Sequence, residues 1–168
     1  GLETRVVRFH NIFGPLGTWT GGREKAPAAL CRKVAEARRS GHRDIEIWGD
    51  GEQTRSFCYI DDCVEGLIRL MRSDYHLPLN LGQDRMISIN DLARLIADAA
   101  GITVRLRHVE GPQGVRGRNS DNTRLRQVLG WEPRVSLEDG LARTYQWIDA
   151  QVRAAAVHAP ERGYGHAS

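Results

Sequence analysis

The chain has 168 residues, of which 40% are hydrophobic and 27% charged, an ordinary composition for one globular domain. Its net charge of +3 comes from 24 basic residues interspersed with 21 acidic ones, and no basic-plus-aromatic stacking pattern accompanies them, so we expect no nucleic-acid binding. No apolar run could cross a membrane, no secretory signal is evident, and the three cysteines form neither a C-x-x-C pair nor an even framework. These features predict a cytoplasmic protein with no membrane partner and no metal site.

The predicted elements alternate between strands and helices, which indicates an α/β fold. The strands are predicted at residues 4–9, 44–48, 55–60, 79–81 and 103–109. The helices are predicted at 25–40, 61–73, 88–101, 122–129 and from 136 onward, with Pro27 in the first turn of one and Asp61 and Ser88 as caps of two others. Within the helix 61–73, apolar residues share one face: Val64, Leu67, Ile68 and Met71. Residues 110–121 read as a glycine- and arginine-rich loop, and 158–168 as a disordered tail.

The first strand leads through a glycine- and proline-rich stretch into a helix. That order is typical of a parallel sheet, whose strands need neighbours on both sides. We therefore expect this chain to be the C-terminal piece of a larger protein. Residues 1–157 are expected to form one folded unit.

Two lysines stand out because the other 22 basic residues are arginines. Codon bias explains the overall excess of arginine over lysine. A desolvated lysine can lose its proton, however, and an arginine effectively cannot, so Lys25 and Lys33 are candidates for proton transfer. Lys25 follows paired glycines and precedes a helix, where backbone N–H groups attract anions. The alternative is that Glu24 and Lys25 are ordinary solvated charges in a first helical turn.

Asn11 lies at the end of the first strand, where ligands of open α/β sheets bind. It could present its amide to a ligand or satisfy its own turn. Arg55 and Arg118 lie beside small or polar residues outside the helix interiors, and two such arginines could clamp a diphosphate. Ordinary surface arginines remain the alternative for each.

Taken together, these stretches resemble a known family. The strand ending in Arg8-Phe9-His10-Asn11-Ile12-Phe13-Gly14-Pro15 is similar to the last Rossmann-side strand of extended short-chain dehydrogenase/reductases that act on nucleotide sugars. The segments GGREKAPAALCRK, WGDG with QTRSF, and GVRGRNSDN resemble the GDP-mannose 3,5-epimerases within that group. The resemblance covers residues 4–150.

The resemblance implies a C-terminal, substrate-binding part of such an enzyme, with one or two strands of an incomplete Rossmann sheet. Residues 1–15 and 61–82 would be its Rossmann-side elements, and the NAD-binding half would be absent from the chain.

It also implies the chemistry. Bound NAD oxidises carbon 4 of a GDP-sugar, protons at carbons 3 and 5 are removed and returned, and carbon 4 is reduced again. Lys25 would be one member of the acid/base pair, and His10 would approach the nicotinamide of NAD. The substrate contacts would be Asn11, Glu24, Lys25, Ala26, Lys33, Gln53, Thr54, Arg55 and Arg118.

The complete protein would be a homodimer, and this chain alone is expected to be inactive. None of the three cysteines matches the family's partner acid/base. Two alternatives stay open: another nucleotide-sugar epimerase, dehydratase or reductase, and a non-catalytic binding module for an anionic partner.

Overall fold

The computed structural model describes residues 1–111 and 114–157, so the tail predicted from residue 158 lies outside the described residues. The elements alternate as expected, which confirms the α/β prediction. The helices are α1 (Ala26–Ser40), α2 (Ile60–Met71), α3 (Ile89–Ala99), α4 (Thr123–Leu129) and α5 (Leu137–Val157). The strands are β1 (Val7–Phe9), β2 (Ile12–Phe13), β3 (Asp44–Trp48), β4 (Thr54–Ser56), β5 (Cys58–Tyr59), β6 (Leu79–Leu81), β7 (Met86–Ser88), β8 (Arg105–Val109) and β9 (Gly117–Arg118). No helix within these residues is long and apolar enough to span a membrane.

The strands pair mainly in parallel, in small sheets. β1 pairs with β6, β2 with β5, and β3 with β8, each in parallel. β4 lies at the centre of a three-stranded sheet, antiparallel to β7 and parallel to β9. Every one of these pairs joins segments distant in sequence, so tertiary folding and not hairpin formation creates them.

Helix α1 forms because its sequence supplies both an apolar face and suitable ends. Leu30, Val34 and Ala37 follow helical spacing and are buried. Pro27 lies in the first turn, where its missing N–H costs nothing, and Gly41 ends the helix in the left-handed conformation with its N–H donated to the Ala37 carbonyl. The buried face packs against α3 and α5, which together form the larger hydrophobic core.

Helix α2 corrects two expectations. Its N-cap residue is Tyr59, and Asp61 lies in the first turn, because the helix begins one residue earlier than predicted. The apolar face expected from its spacing is largely exposed: Val64 is 48% and Met71 65% exposed. The helix instead buries the side that carries Gly66, where an added Cβ would lie 2.6 Å from a methyl carbon of Leu81.

Helix α3 confirms the predicted cap. The Ser88 hydroxyl accepts a hydrogen bond from the Asp91 N–H at 3.0 Å. The strands β2, β7 and β9 were not expected, and β9 lies within the predicted loop 110–121. Each has only two or three residues, so periodicity cannot reveal it. That residues 1–157 form one folded unit stays a prediction.

Candidate functional site

A cavity of about 270 Å³ lies where the end of β2 meets the start of α1. Lys25 lines it, next to residues of β2 and the buried Thr144 of α5. Lys25 is the N-cap residue of α1, with extended backbone angles (φ −77°, ψ 161°), and it is exposed. The ammonium therefore stands at a helix N-terminus, where free N–H groups and the helix dipole both favour an anionic ligand.

Two further polar residues line the same cavity, Thr18 and Arg23. Neither was assigned a role from the sequence. The signal for Arg23 was available, because residues two apart in an extended segment point to the same side, and Arg23 stands two residues before Lys25. The cavity thus has two cationic side chains, of Arg23 and Lys25, among its lining residues.

Glu24 holds the loop that precedes α1. Its carboxylate accepts hydrogen bonds from the Gly22 N–H at 2.7 Å and from Arg32 Nη2 at 3.0 Å, and its side chain is only 6% exposed. A hydrogen bond from its own backbone N–H, with those from Arg32 and Gly22, lowers the pKa of Glu24 from its ordinary value. Gly21 and Gly22 have positive φ angles of 93° and 82°, which the bend requires. Both carboxylate oxygens of Glu24 are therefore engaged in shaping the loop.

Lys33 lies elsewhere on α1. It lines a separate hollow beside β3, and its Nζ donates to the Glu46 carbonyl at 2.7 Å. Burial lowers the pKa of Lys33. Ala26 opens the helix and packs against the larger core. Contact of Lys33 and Ala26 with a substrate stays a prediction.

Asn11 ties the first strands to the middle of the chain. It adopts a positive φ of 45°, and its Nδ2 donates to the Ser56 carbonyl at 2.9 Å. This bond satisfies one amide donor locally and leaves Oδ1 for other partners. His10 precedes it, and its backbone N–H donates to the Leu81 carbonyl at 3.0 Å.

The structure brings Arg55 and Arg118 together. β4 and β9 run in parallel with these two arginines as register partners, so neighbouring strands present them side by side. Arg55 is half-buried and donates to the Thr54 carbonyl at 2.7 Å, while Arg118 is exposed. In residues 1–111 and 114–157, neither guanidinium forms an ion pair with a carboxylate. Two uncompensated guanidinium groups on adjacent strands can bind a dianionic group such as a diphosphate.

Gln53 and Thr54 lie directly before Arg55 and shape this edge. Gln53 Nε2 donates to the Trp48 carbonyl at 3.4 Å, and the Thr54 N–H donates to the Arg116 carbonyl at 2.9 Å. The second bond fixes β9 beside β4. Gln53 and Thr54 are half-buried and directly precede Arg55, one of the two paired arginines.

The cysteines are poor candidates for acid/base chemistry. All three are buried, and burial raises the pKa of both Cys31 and Cys58 to about 12. They stay protonated at neutral pH and pack as small apolar side chains.

Residues 1–111 and 114–157 contain no G-x-G-x-x-G turn, the glycine pattern of a dinucleotide site. The glycine-rich stretch 14–22 joins β2 to α1 but lacks this spacing. The turn Gly49-Asp50-Gly51 follows β3 but leads into β4, another strand. The His10 N–H is already used by Leu81.

Comparison with known proteins finds relatives of this chain among nucleotide-sugar enzymes. Residues 1–82 match the NAD dependent epimerase/dehydratase family. The chain is 55% identical over 152 residues to GDP-mannose 3,5-epimerase 1 of Oryza sativa subsp. indica, an alignment that covers 90% of this chain and 39% of the rice protein. It is 35% identical over 142 residues to UDP-glucuronic acid decarboxylase 5 of Arabidopsis thaliana, covering 84% of this chain and 40% of that protein.

A solved structure of a nucleotide-sugar epimerase is also similar to this chain. UDP-glucose 4-epimerase of Thermotoga maritima superposes with a TM-score of 0.79 at 28% identity, over 88% of this chain and 46% of that one. The chain thus spans about two fifths of the length of the curated relatives it matches. The resemblance drawn from the sequence is confirmed: the chain is a homologue of GDP-mannose 3,5-epimerases, and its first 82 residues carry the pattern of the NAD dependent epimerase/dehydratase family.

Proposed function

We propose that the protein containing this chain is an NAD-dependent GDP-mannose 3,5-epimerase, and that this chain forms most of its substrate site. The observation that carries the proposal is the difference in identity between relatives. The chain is 55% identical to a GDP-mannose 3,5-epimerase but 35% identical to a UDP-glucuronic acid decarboxylase over nearly the same length. If the chain shared only a common fold with these two enzymes, its identity to the epimerase and to the decarboxylase would be similar.

Lys25 has the position that proton transfer requires. Its side chain lines a cavity at a helix N-terminus, beside the end of a strand. As an ammonium it can give a proton to a sugar carbon, and as a neutral amine it can take one. Arg23, which lines the same cavity, favours the negative charge that develops when a C–H proton leaves. We assign Lys25 as one member of the acid/base pair at carbons 3 and 5.

Arg55 and Arg118 are assigned to the diphosphate of the GDP-sugar, with Gln53 and Thr54 beside them. The support is the register that places the two guanidinium groups on adjacent strands without carboxylate partners among the described residues. Asn11, Glu24, Ala26 and Lys33 are assigned to the sugar and nucleotide by the family resemblance. The two hydrogen bonds to the Glu24 carboxylate support a further role for it in holding the loop that carries Lys25.

NAD would supply hydride transfer at carbon 4 in the complete protein, with His10 near its nicotinamide. Apart from His10, we assign the residues of this chain to substrate binding and proton transfer, because residues 1–111 and 114–157 contain no G-x-G-x-x-G turn. We therefore expect no turnover of GDP-mannose by the 168-residue chain alone. A cytoplasmic location and a homodimeric complete protein remain predictions.

The test uses the full-length protein that contains this chain. It should bind GDP-mannose more tightly than UDP-glucose in calorimetry. In D₂O it should incorporate deuterium at carbons 3 and 5 of GDP-mannose and release GDP-L-galactose. Preference for the uridine sugar would support the alternative of another nucleotide-sugar enzyme. Tight binding without deuterium incorporation would support the non-catalytic binding module.

A further inference from the structure

Asn90 lies at the start of α3, outside every assigned role, and its side chain is almost fully bonded. It is 4% exposed. Its Nδ2 donates to the Asp50 carbonyl at 2.9 Å and to Glu52 Oε1 at 2.7 Å, and its Oδ1 contacts His108 Nε2 at 2.9 Å. Its backbone N–H donates to the Gly51 carbonyl at 3.0 Å. One side chain thus fastens the turn after β3 to both α3 and β8.

The turn held by Asn90 leads to the arginine pair. Asp50 accepts a hydrogen bond from Arg116 Nη1 at 2.7 Å through its carboxylate. The Arg116 carbonyl in turn accepts from the Thr54 N–H at 2.9 Å. This bond lies next to the register that sets Arg118 beside Arg55. Hydrogen bonds therefore connect Asn90 through Asp50 and Arg116 to the strand pair that carries Arg55 and Arg118. This connection can fix the distance between the two guanidinium groups.

β9 is held by its backbone pairing with β4 and, next to it, by the Asp50–Arg116 pair. The strand has only two residues and both are exposed. A strand this short depends on its attachments for a defined position, since it buries little apolar surface of its own. The Asp50–Arg116 pair is also exposed, so its geometry rests on how rigidly Asp50 is held.

We propose that Asn90 is a positioning residue, which holds the turn 49–53 so that Arg55 and Arg118 clamp a nucleoside diphosphate. This inference rests on the proposed function, because it presupposes that the arginine pair binds a diphosphate. Asn90 does not touch the ligand in this scheme and acts through Asp50 and Arg116.

The test compares the affinity of GDP with that of GMP in the full-length protein. Asn90→Asp keeps the side-chain shape but removes both amide donors and sets a carboxylate against Glu52 and the Asp50 carbonyl. We expect GDP affinity to fall about tenfold and GMP affinity less than about threefold, since the spacing of the two arginines matters most for a second phosphate.

Ser88→Ala is the matched control. It removes the cap of the same helix, two residues before Asn90, and removes no hydrogen bond of the turn 49–53, because among the described residues the Ser88 hydroxyl bonds only Asp91. We expect it to lower the melting temperature while GDP affinity stays within about twofold of wild type. The double variant Asn90→Asp/Glu52→Gln restores one donor–acceptor pair with reversed polarity and should recover part of the GDP affinity.

The outcomes separate the two proposals. If wild type binds GDP and Asn90→Asp binds it equally well, or loses GDP and GMP to the same extent, the inference is overturned. A Ser88→Ala loss of GDP affinity equal to that of Asn90→Asp also overturns it. A wild-type protein that binds neither nucleotide refutes the proposed function itself, and the inference falls with it.

Discussion

Replacing Gly51 by alanine tests how tightly the turn after β3 is packed. Gly51 has a φ of +71° and is buried. A Cβ at this position would overlap the amide oxygen of Asn90 and lie 2.5 Å from its Cγ. Asn90 cannot move aside freely, because its side chain bonds Asp50, Glu52 and His108. Gly101 offers a matched control, since it has a φ of +67° and nothing within 4 Å of an added Cβ.

The two substitutions share one cost and differ in another. The left-handed conformation costs an alanine roughly 1–2 kcal/mol at either position. At Gly51 the displaced Asn90 side chain also loses three hydrogen bonds, each with a net value of roughly 1 kcal/mol. We therefore expect Gly51→Ala to lower the free energy of unfolding by about 3 kcal/mol more than Gly101→Ala does.

Urea unfolding of the 168-residue chain, followed by circular dichroism, measures this difference. In thermal unfolding it corresponds to a melting temperature lower by roughly 6–12 °C for a chain of this size. Equal losses for the two variants, within about 0.5 kcal/mol, would refute the claim that Asn90 is rigidly held.

Four further predictions follow from the site and the core. In the full-length protein, Lys25→Arg keeps the charge but should abolish deuterium incorporation from D₂O into GDP-mannose, with binding changed less than about tenfold; retained incorporation would exclude Lys25 as acid or base. Arg118→Ala should weaken GDP-mannose binding about tenfold in calorimetry, whereas Arg39→Ala, an exposed arginine at the end of α1, should leave it unchanged. Because the folded-state pKa of Glu24 is lowered, its contribution to stability is present above the ordinary carboxyl pKa of 4.5 and is lost as pH falls through the lowered value, so Glu24→Gln should cost more at pH 7 than at pH 3 in urea unfolding, and an equal cost at both would contradict this. Ellman's reagent should leave Cys31, Cys58 and Cys63 unmodified in the native chain and label all three in urea, while rapid native labelling would contradict their burial.

The longer elements were predictable because local chemistry marks them. α1 has a continuous apolar stripe, a proline in its first turn and a glycine after its end, and α3 has a serine cap that the structure confirms. The last helix follows the same rule over 21 residues. For α2 the spacing predicted that the face of Val64, Ile68 and Met71 is buried, and this prediction is wrong because the helix packs the side of Gly66 against Leu81 instead.

Three of the short strands were not predicted, although the equally short β6 was. β2, β7 and β9 have two or three residues each and exist because distant partners supply their hydrogen bonds. One of them, β9, carries Arg118, so the sequence could name this arginine as a candidate but could not place it next to Arg55.

The sequence alone determined which side chains can carry chemistry here: a lysine at a helix start, two arginines in polar stretches and a family pattern around them. These features are local, and residue type and spacing encode them. The tertiary structure decided which of these side chains lie next to each other. It joined Arg55 to Arg118, formed the cavity that Arg23 and Lys25 line, and set Lys33 on another surface. It also showed that Asn90, an unremarked residue at a helix start, fastens the turn behind the arginine pair, because contacts between residues distant in sequence arise only when the chain folds.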